Sequence, residues 1–488
     1  LWTFGISGDL PILLVRSADV HRIDLVKQVR QAHAYWREKG LEVDLVILNE
    51  DFSGYRQVLQ DRILGLITAG PEAHRVDKPG GIFLRRSEQL SEEDRVLLQT
   101  VARVILTDSA ETLAEQVERK STVARKISRF IPTRSMLAAT TAAPASREIM
   151  FFNGLGGFTP DGREYVISLA PGQTTPAPWA NVLANPQIGT VITESGGAYT
   201  WVDNAHEFRL TPWHNDPVGD PSGEAFYLRD EETGQFWSPT PLPARGNGHY
   251  VCRHGFGYSV FEYTQLGISS ELWAYVALDA PVKFMMVKVR NHSGRTRRLS
   301  VTGYWELVLG QWRHANLMHV VTEIDPNTGA LFARNVYNRE FAGKTVFVNV
   351  SDKARTITGN RTEFLGQNCT LASPAAMRHA HLSGQTGASL DPCAALQVPF
   401  DLADGEEREL VFVLGAGNTV EEAQELIRRF SGPASAQLAL ASVWEFWKRT
   451  LGVVYAETPD PALNLLVNGW LEYQTLAGRY WGRSGYYQ

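Results

Sequence analysis

The chain opens by alternating short uninterrupted apolar runs with stretches whose apolar positions recur every three or four residues. Ile12 to Val15 has no polar interruption, which suits a strand buried on both faces. His21 to Lys39 then reads as a helix, closed by Gly40 where a left-handed residue is needed, and Leu41 to Leu48 as the next strand. Ile82 to Leu84 and Val104 to Leu106 repeat the apolar run, with a helix between them opened by Ser91 and the acidic residues that follow. This pattern predicts a small βαβ domain with a parallel sheet. From Thr112 to Phe130 a charged helical pattern leads into Ser135 to Ser146, an Ala-, Thr- and Pro-rich linker.

Beyond the linker the period changes to alternation broken by turns. Tyr199 to Val202, Tyr258 to Tyr263, Leu272 to Leu278, Phe284 to Arg290, Arg298 to Leu309, Thr345 to Val350 and Glu409 to Leu414 all read as strands. With no helical pattern between them, they predict a large antiparallel sandwich. At Thr419 the period becomes helical again. Thr419 and Glu422 form a capping box, Arg428 and Arg429 fill the last turn, and Gly432 with Pro433 stops the helix. A second helix carries Leu440, Val443, Trp444, Trp447 and Leu451 on one stripe. A third begins after Pro461 and aligns Leu463, Leu466, Val467, Trp470, Leu471 and Gln474.

Composition narrows the functional classes. The 488 residues carry a net charge of −6, which argues against a broad polyanion-binding surface, and a hydrophobic fraction of 44% excludes largely disordered classes. Three cysteines are too few for a disulfide framework and suit a reducing compartment. The long uncharged stretch from Val166 to Thr193 is interrupted by Pro171, Pro176, Pro178 and Pro186, so it does not read as a membrane helix. Residue 1 is Leu and no signal peptide is visible, so the chain is expected to be cut from something longer.

Several motifs bear on chemistry. Gly5 to Asp9 resembles a phosphate cradle but precedes the first strand, and the turn after that strand, Arg16 to Asp19, has no glycine; a docking or spacer domain is favoured over nucleotide binding. His249, Cys252 and His254 do not share one strand face, which disfavours a metal site. Glu194 with Asp203, or Asp230 with Glu231 and Glu232, could form a glycosidase acid pair, although Glu231 and Glu232 read more simply as a solvated turn. No nucleophile elbow is present. Trp179, Trp201, Trp213, Tyr227, Trp237, Trp305 and Trp312 are either core residues or platforms for sugar rings. The best sugar-binding candidates are the consecutive Trp213, His214, Asn215 and Asp216, in a segment whose prolines break any strand. In the closing WGRSGYYQ, Arg483 among aromatics is either an anion-binding residue or a packed helix end.

The runs NGLGGFTPDGREYVI (153–167), TPAPWANVLANPQIG (175–189), TPWHNDPVGDPSGEAFYLRDEETGQFWSPTP (211–241) and NGWLEYQTLAGRYWGRSGYYQ resemble the phosphorylase-like region of bacterial cyclic β-1,2-glucan synthases. That region is similar to the cellobiose and chitobiose phosphorylases of glycoside hydrolase family 94. The resemblance spans essentially the whole chain, including the opening LWTFGISGDLPILLVR. It implies a multidomain α/β plus all-β chain: a small parallel α/β connecting domain (1–134), a linker (135–147) and a galactose mutarotase-like β-supersandwich (148–417). Linker helices (418–458) and the first helix of a truncated (α/α)6 barrel (459–488) would follow.

The resemblance further implies inverting phosphorolysis of β-1,2-glucan to glucose 1-phosphate, controlling glucan length, with inorganic phosphate as co-substrate and no cofactor or metal. The general acid would lie beyond Gln488, so this stretch alone would be inactive. Arg483 matches the family arginine that faces phosphate and the reacting sugar. The parent protein would sit at the cytoplasmic face of the bacterial inner membrane. A noncatalytic carbohydrate-binding module, or a scaffold, is the alternative reading.

Overall fold

The computed structural model describes residues 1–51, 57–70, 73–108, 111–118, 127–135 and 147–482, and the chain divides into two units, Leu1–Ala124 and Arg125–Gln488. In the first unit, strands β1 (Ile12–Ser17), β2 (Asp44–Asn49), β3 (Ile82–Arg86) and β4 (Val104–Thr107) form a parallel sheet in the order β3-β2-β1-β4. Leu13, Val15, Leu45 and Ile47 enter one apolar cluster, and Ile12, Leu14, Val46 and Leu48 enter another. Burial on both faces is what makes these strands uninterrupted apolar runs. The helix Asp24–Glu38 is followed by Gly40 at φ 83°, and Ser91 accepts a hydrogen bond from Asp94 N to open Glu92–Val101. An additional helix, Val58–Thr68, packs Leu59, Ile63 and Ile67 onto the sheet. The charged pattern after Thr112 is helical over Leu113–Glu118; residues 119–126 lie outside the described residues. By Arg129 the backbone is instead extended, bridging to His379 of the sandwich.

The second unit is built on three antiparallel sheets. A ten-stranded sheet runs from Val320–Ile324 at one edge through Glu407–Gly417, Val282–Asn291 and Ile268–Val276 to Gly156–Phe158 at the other. It faces a five-stranded sheet centred on Arg297–Glu306, and Ala180–Ala184, Ile188–Thr193 and Ala198–Val202 make a third. Along Val282–Asn291 alternate side chains part company: Met285, Val287 and Val289 enter the inter-sheet core, while Phe284 and Met286 face outward onto helices Val420–Arg429 and Pro433–Leu451. Lys283 points inward with the first set and is fully buried, held 2.7 Å from Glu224 and bonded to Thr190 and Thr200. A charge on a core-facing position is tolerated only because every proton on it has an acceptor.

The helical part departs from the sequence pattern in three places. Thr419 accepts from Glu422 N as a cap, but the Glu422 carboxylate returns to Asn418 N rather than to Thr419. Gly432 and Pro433 do more than stop a helix, because they are the N-cap and first residue of the next one, where proline's missing N–H costs nothing. The stripe assigned to the third helix also fails. Leu466–Trp470 and Thr475–Trp481 are π-helical, which widens the turn and rotates Trp470, Tyr473 and Ala477 into the seam while Leu463, Leu466 and Leu471 stay exposed. On the second helix, Trp444 lies 45% exposed at the edge of its buried stripe.

Candidate functional site

Pro176 and Pro178 keep the backbone before Ala180 out of any ladder and leave Trp179 at the lip of the three-stranded sheet. The Trp179 N–H donates to Glu194 Oε2 (2.6 Å), and its carbonyl accepts from His254 Nε2 (3.0 Å). Burial pushes the His254 pKa down to about 4, so the ring is neutral; with Nε2–H on the Trp179 carbonyl, Nδ1, 2.8 Å from the Ser259 hydroxyl, is the acceptor. Asn181 donates to the carbonyls of Gly255 and Tyr258, both at 3.0 Å. Tyr473 then reaches across from the last helix. Its buried hydroxyl receives Gly257 N (3.0 Å) and lies 2.8 Å from Asn181 Oδ1 and 3.0 Å from the Val182 carbonyl.

Above this polar floor opens a cleft of about 640 Å³, walled by the rings of Phe158, Tyr165, Trp179 and Trp470. Among the described residues no Asp, Glu, Lys or Arg lines it. The Trp179 indole N–H and the Gln474 amide make no hydrogen bond there, whereas Trp470 Nε1 donates to Gly162. Aromatic walls with a few free donors and no net charge suit a neutral, hydroxyl-rich ligand.

The other sequence candidates are dispersed. Trp213 is 42% exposed with its ring 4.8 Å from that of Tyr199. His214, Asn215 and Asp216 are exposed; Asp216 accepts from Gly219 N and Val218 N, which hold its carboxyl below the usual range and make it the closer of a turn. Arg483 lies outside the described residues, as do Tyr486 and Tyr487. Gly482, just before it, abuts Val182 of the sandwich.

The acid pairs resolve as structural groups. Burial raises the pKa of Glu194, which is bonded to Thr175 and Trp179, while Asp203 pairs with Lys344. Glu231 and Glu232 do form a turn, but a partly buried one in which they pair with Arg229 and Arg295, while Asp230 is fully buried and pairs with Arg297. Cys252 Sγ lies 3.6 Å from His254 Nε2, and among the described residues no group of three metal-ligating side chains converges. Trp201, Trp237, Trp305 and Tyr227 are core residues, and Trp312 is 48% exposed. In the first unit, the crevice at the ends of β1 and β4, where such sheets seat ligands, is filled from within. The Asp108 carboxylate accepts from Ala18 N (2.6 Å), Asp19 N (2.8 Å) and Ser17 Oγ (3.1 Å), taking the amides a phosphate would need.

Sequence reasoning saw Trp179 and His254 but missed Asn181 and Tyr473. Tyr473 sits three residues after Trp470, a spacing that would have paired the two on one helix face.

The family described as glycosyl hydrolase 94, supersandwich domain, matches residues 163–433. Cyclic beta-(1,2)-glucan synthase NdvB of Rhizobium meliloti (strain 1021) is 34% identical over 100% of this chain and 18% of its own length. The N,N'-diacetylchitobiose phosphorylase of Vibrio furnissii is 28% identical over 67% of this chain and 41% of its own. A galactose mutarotase related enzyme from Lactobacillus acidophilus, of known structure, is 11% identical with a TM-score of 0.29 over 50% of this chain and 99% of that one, too distant to inform the chemistry. The chain spans less than half the length of the curated relatives it matches.

Proposed function

The chain belongs to the glycosyl hydrolase 94 family, and from that premise we propose that it is the sandwich-bearing part of a phosphorylase-like region acting on β-1,2-glucan. The observation that carries the choice of glucan is the 34% identity to a cyclic β-1,2-glucan synthase along the entire chain, where the chitobiose phosphorylase aligns with 67% of it. In the reaction, an oxygen of inorganic phosphate attacks the anomeric carbon while the glycosidic C–O bond breaks on the opposite face. One carboxylic acid protonates the departing oxygen, and glucose 1-phosphate leaves with inverted configuration. As part of this proposal, that acid is assigned to the parent protein outside these 488 residues.

On this reading the cleft orients sugar, Arg483 meets phosphate, and the Trp213 to Asp216 loop contacts the acceptor end. The clamp of Tyr473 on Asn181 and Val182 fixes the helix that leads to Arg483 against the sandwich, as a phosphate-binding arginine requires. Exposed Leu463, Leu466, Leu471 and Tyr480 support a further helical layer packing on residues 459–482. No helix among the described residues is long and apolar enough to cross a membrane.

The test is phosphate-dependent release of glucose 1-phosphate from linear β-1,2-glucan. Activity is expected from a chain extended by roughly 350 residues, about two further domains, and not from these 488 alone. Extended protein that releases no glucose 1-phosphate would leave a noncatalytic glucan-binding module, a reading that the uncharged cleft also supports.

A further inference from the structure

The three-stranded sheet has one face in the core, through Leu183, Ile188, Ile192 and Val202. Its other face carries a row that begins inside the cleft. Val182 pairs directly with Val191, and Val191 with Tyr199, so the three side chains project together. All three are half-buried, and Trp213 stands on the far side of Tyr199 with ring centroids 4.8 Å apart. In the adjacent row the Trp201 ring lies across Gly189, where an added Cβ would fall 2.2 Å from the indole. Glycine there leaves room for the Trp201 indole, which is itself buried.

We infer that this face is a track along which successive units of an uncharged glucan chain lie, from the cleft at Trp179 to the ring of Trp213. The inference rests on the glucan reading above and adds a second contact region to it. At the usual spacing of about 4.8 Å between strands, Val182 to Trp213 spans roughly 14 Å, room for about three hexose rings. The half-buried Val182, Val191 and Tyr199 include no ionisable group other than the Tyr199 phenol, which is neutral at physiological pH and whose pKa burial pushes up further, to about 12. The charge that reaches Tyr199 is that of Arg209, whose guanidinium is committed to the Ala205 and Gln311 carbonyls and stands 5.2 Å from the Trp312 ring centroid. A neutral row with an aromatic platform at each end matches the C–H faces of a sugar chain and offers a charged partner nothing to pair with.

The test is calorimetric binding of linear β-1,2-glucans to the 488-residue chain, comparing a disaccharide with a chain of roughly ten units. The long chain is expected to bind at least tenfold tighter, with little dependence on salt. Trp213→Ala should weaken the long chain about five- to tenfold, several times more than it weakens the disaccharide, and Trp213→Phe should restore most of the loss. Trp213 is exposed, so these variants keep the fold. Equal affinity for both lengths, or no effect of Trp213→Ala, overturns the track; the second result also removes Trp213 from the acceptor end, while phosphorolysis of the glucan stands. No binding at either length overturns both. A change of oligomeric state in Trp213→Ala would make the face a contact between copies and also overturn the track.

Discussion

His254 is neutral in the folded protein because burial holds its pKa near 4, while in the unfolded chain it returns to about 6.5. The unfolded state therefore takes up the proton first as pH falls. His254's contribution is complete above pH 6.5 and drains away toward pH 4, by about 3 kcal/mol in total. Chemical denaturation at a series of pH values should show this loss, and His254→Gln should flatten it relative to the parent protein. Lys283 and Glu224 make a complementary case, since neither reaches solvent. Glu224→Gln alone strands a buried ammonium and is expected to cost about 3–5 kcal/mol. Pairing it with Lys283→Met should recover most of that loss in the same denaturation assay. The charge at 283 was visible in the sequence, but its partner lies 59 residues away. Only the packing of the five-stranded sheet against the ten-stranded one brings the two together.

At the scale of elements, the seam between sandwich and terminal helices depends on Tyr473 and Gly257. Tyr473→Phe removes the partner of Gly257 N and of Asn181 Oδ1, both buried, and should weaken the docking by about 1–3 kcal/mol. Faster proteolysis after Leu451, with unchanged proteolysis of the sandwich strands, would be the readout. Gly257 has φ 81°, and a Cβ there would lie 2.4 Å from Trp447 Nε1, so Gly257→Ala should loosen both terminal helices. Helix ends were legible because caps are local: Ser91, Thr419 and Gly40 act through neighbours within a few residues. The π turns were not legible, because a widened turn is chosen by what the helix packs against and leaves no local signature in propensity.

For the molecule as a whole, the described contacts gather into two units, and the uncharged cleft and the exposed Trp213 both lie in the second. Residues 125–488 expressed alone should therefore bind linear β-1,2-glucan with the affinity of the full chain; a large loss would assign the first unit a share in binding. What the sequence determined by itself was the order of elements and their type: the parallel α/β start, the antiparallel middle, the helical close, and the family. Those follow from periodicity, caps and long contiguous motifs, which act over short distances along the chain. The tertiary structure alone decided which polar residues converge. Asn181, His254 and Tyr473 are remote in the chain and meet because two strands and a helix close on one seam. It likewise decided that Asp230, Glu231 and Glu232 are spent on arginines and that Val182, Val191 and Tyr199 share a face, because strand register is set by the burial of a whole sheet face and not by any one residue.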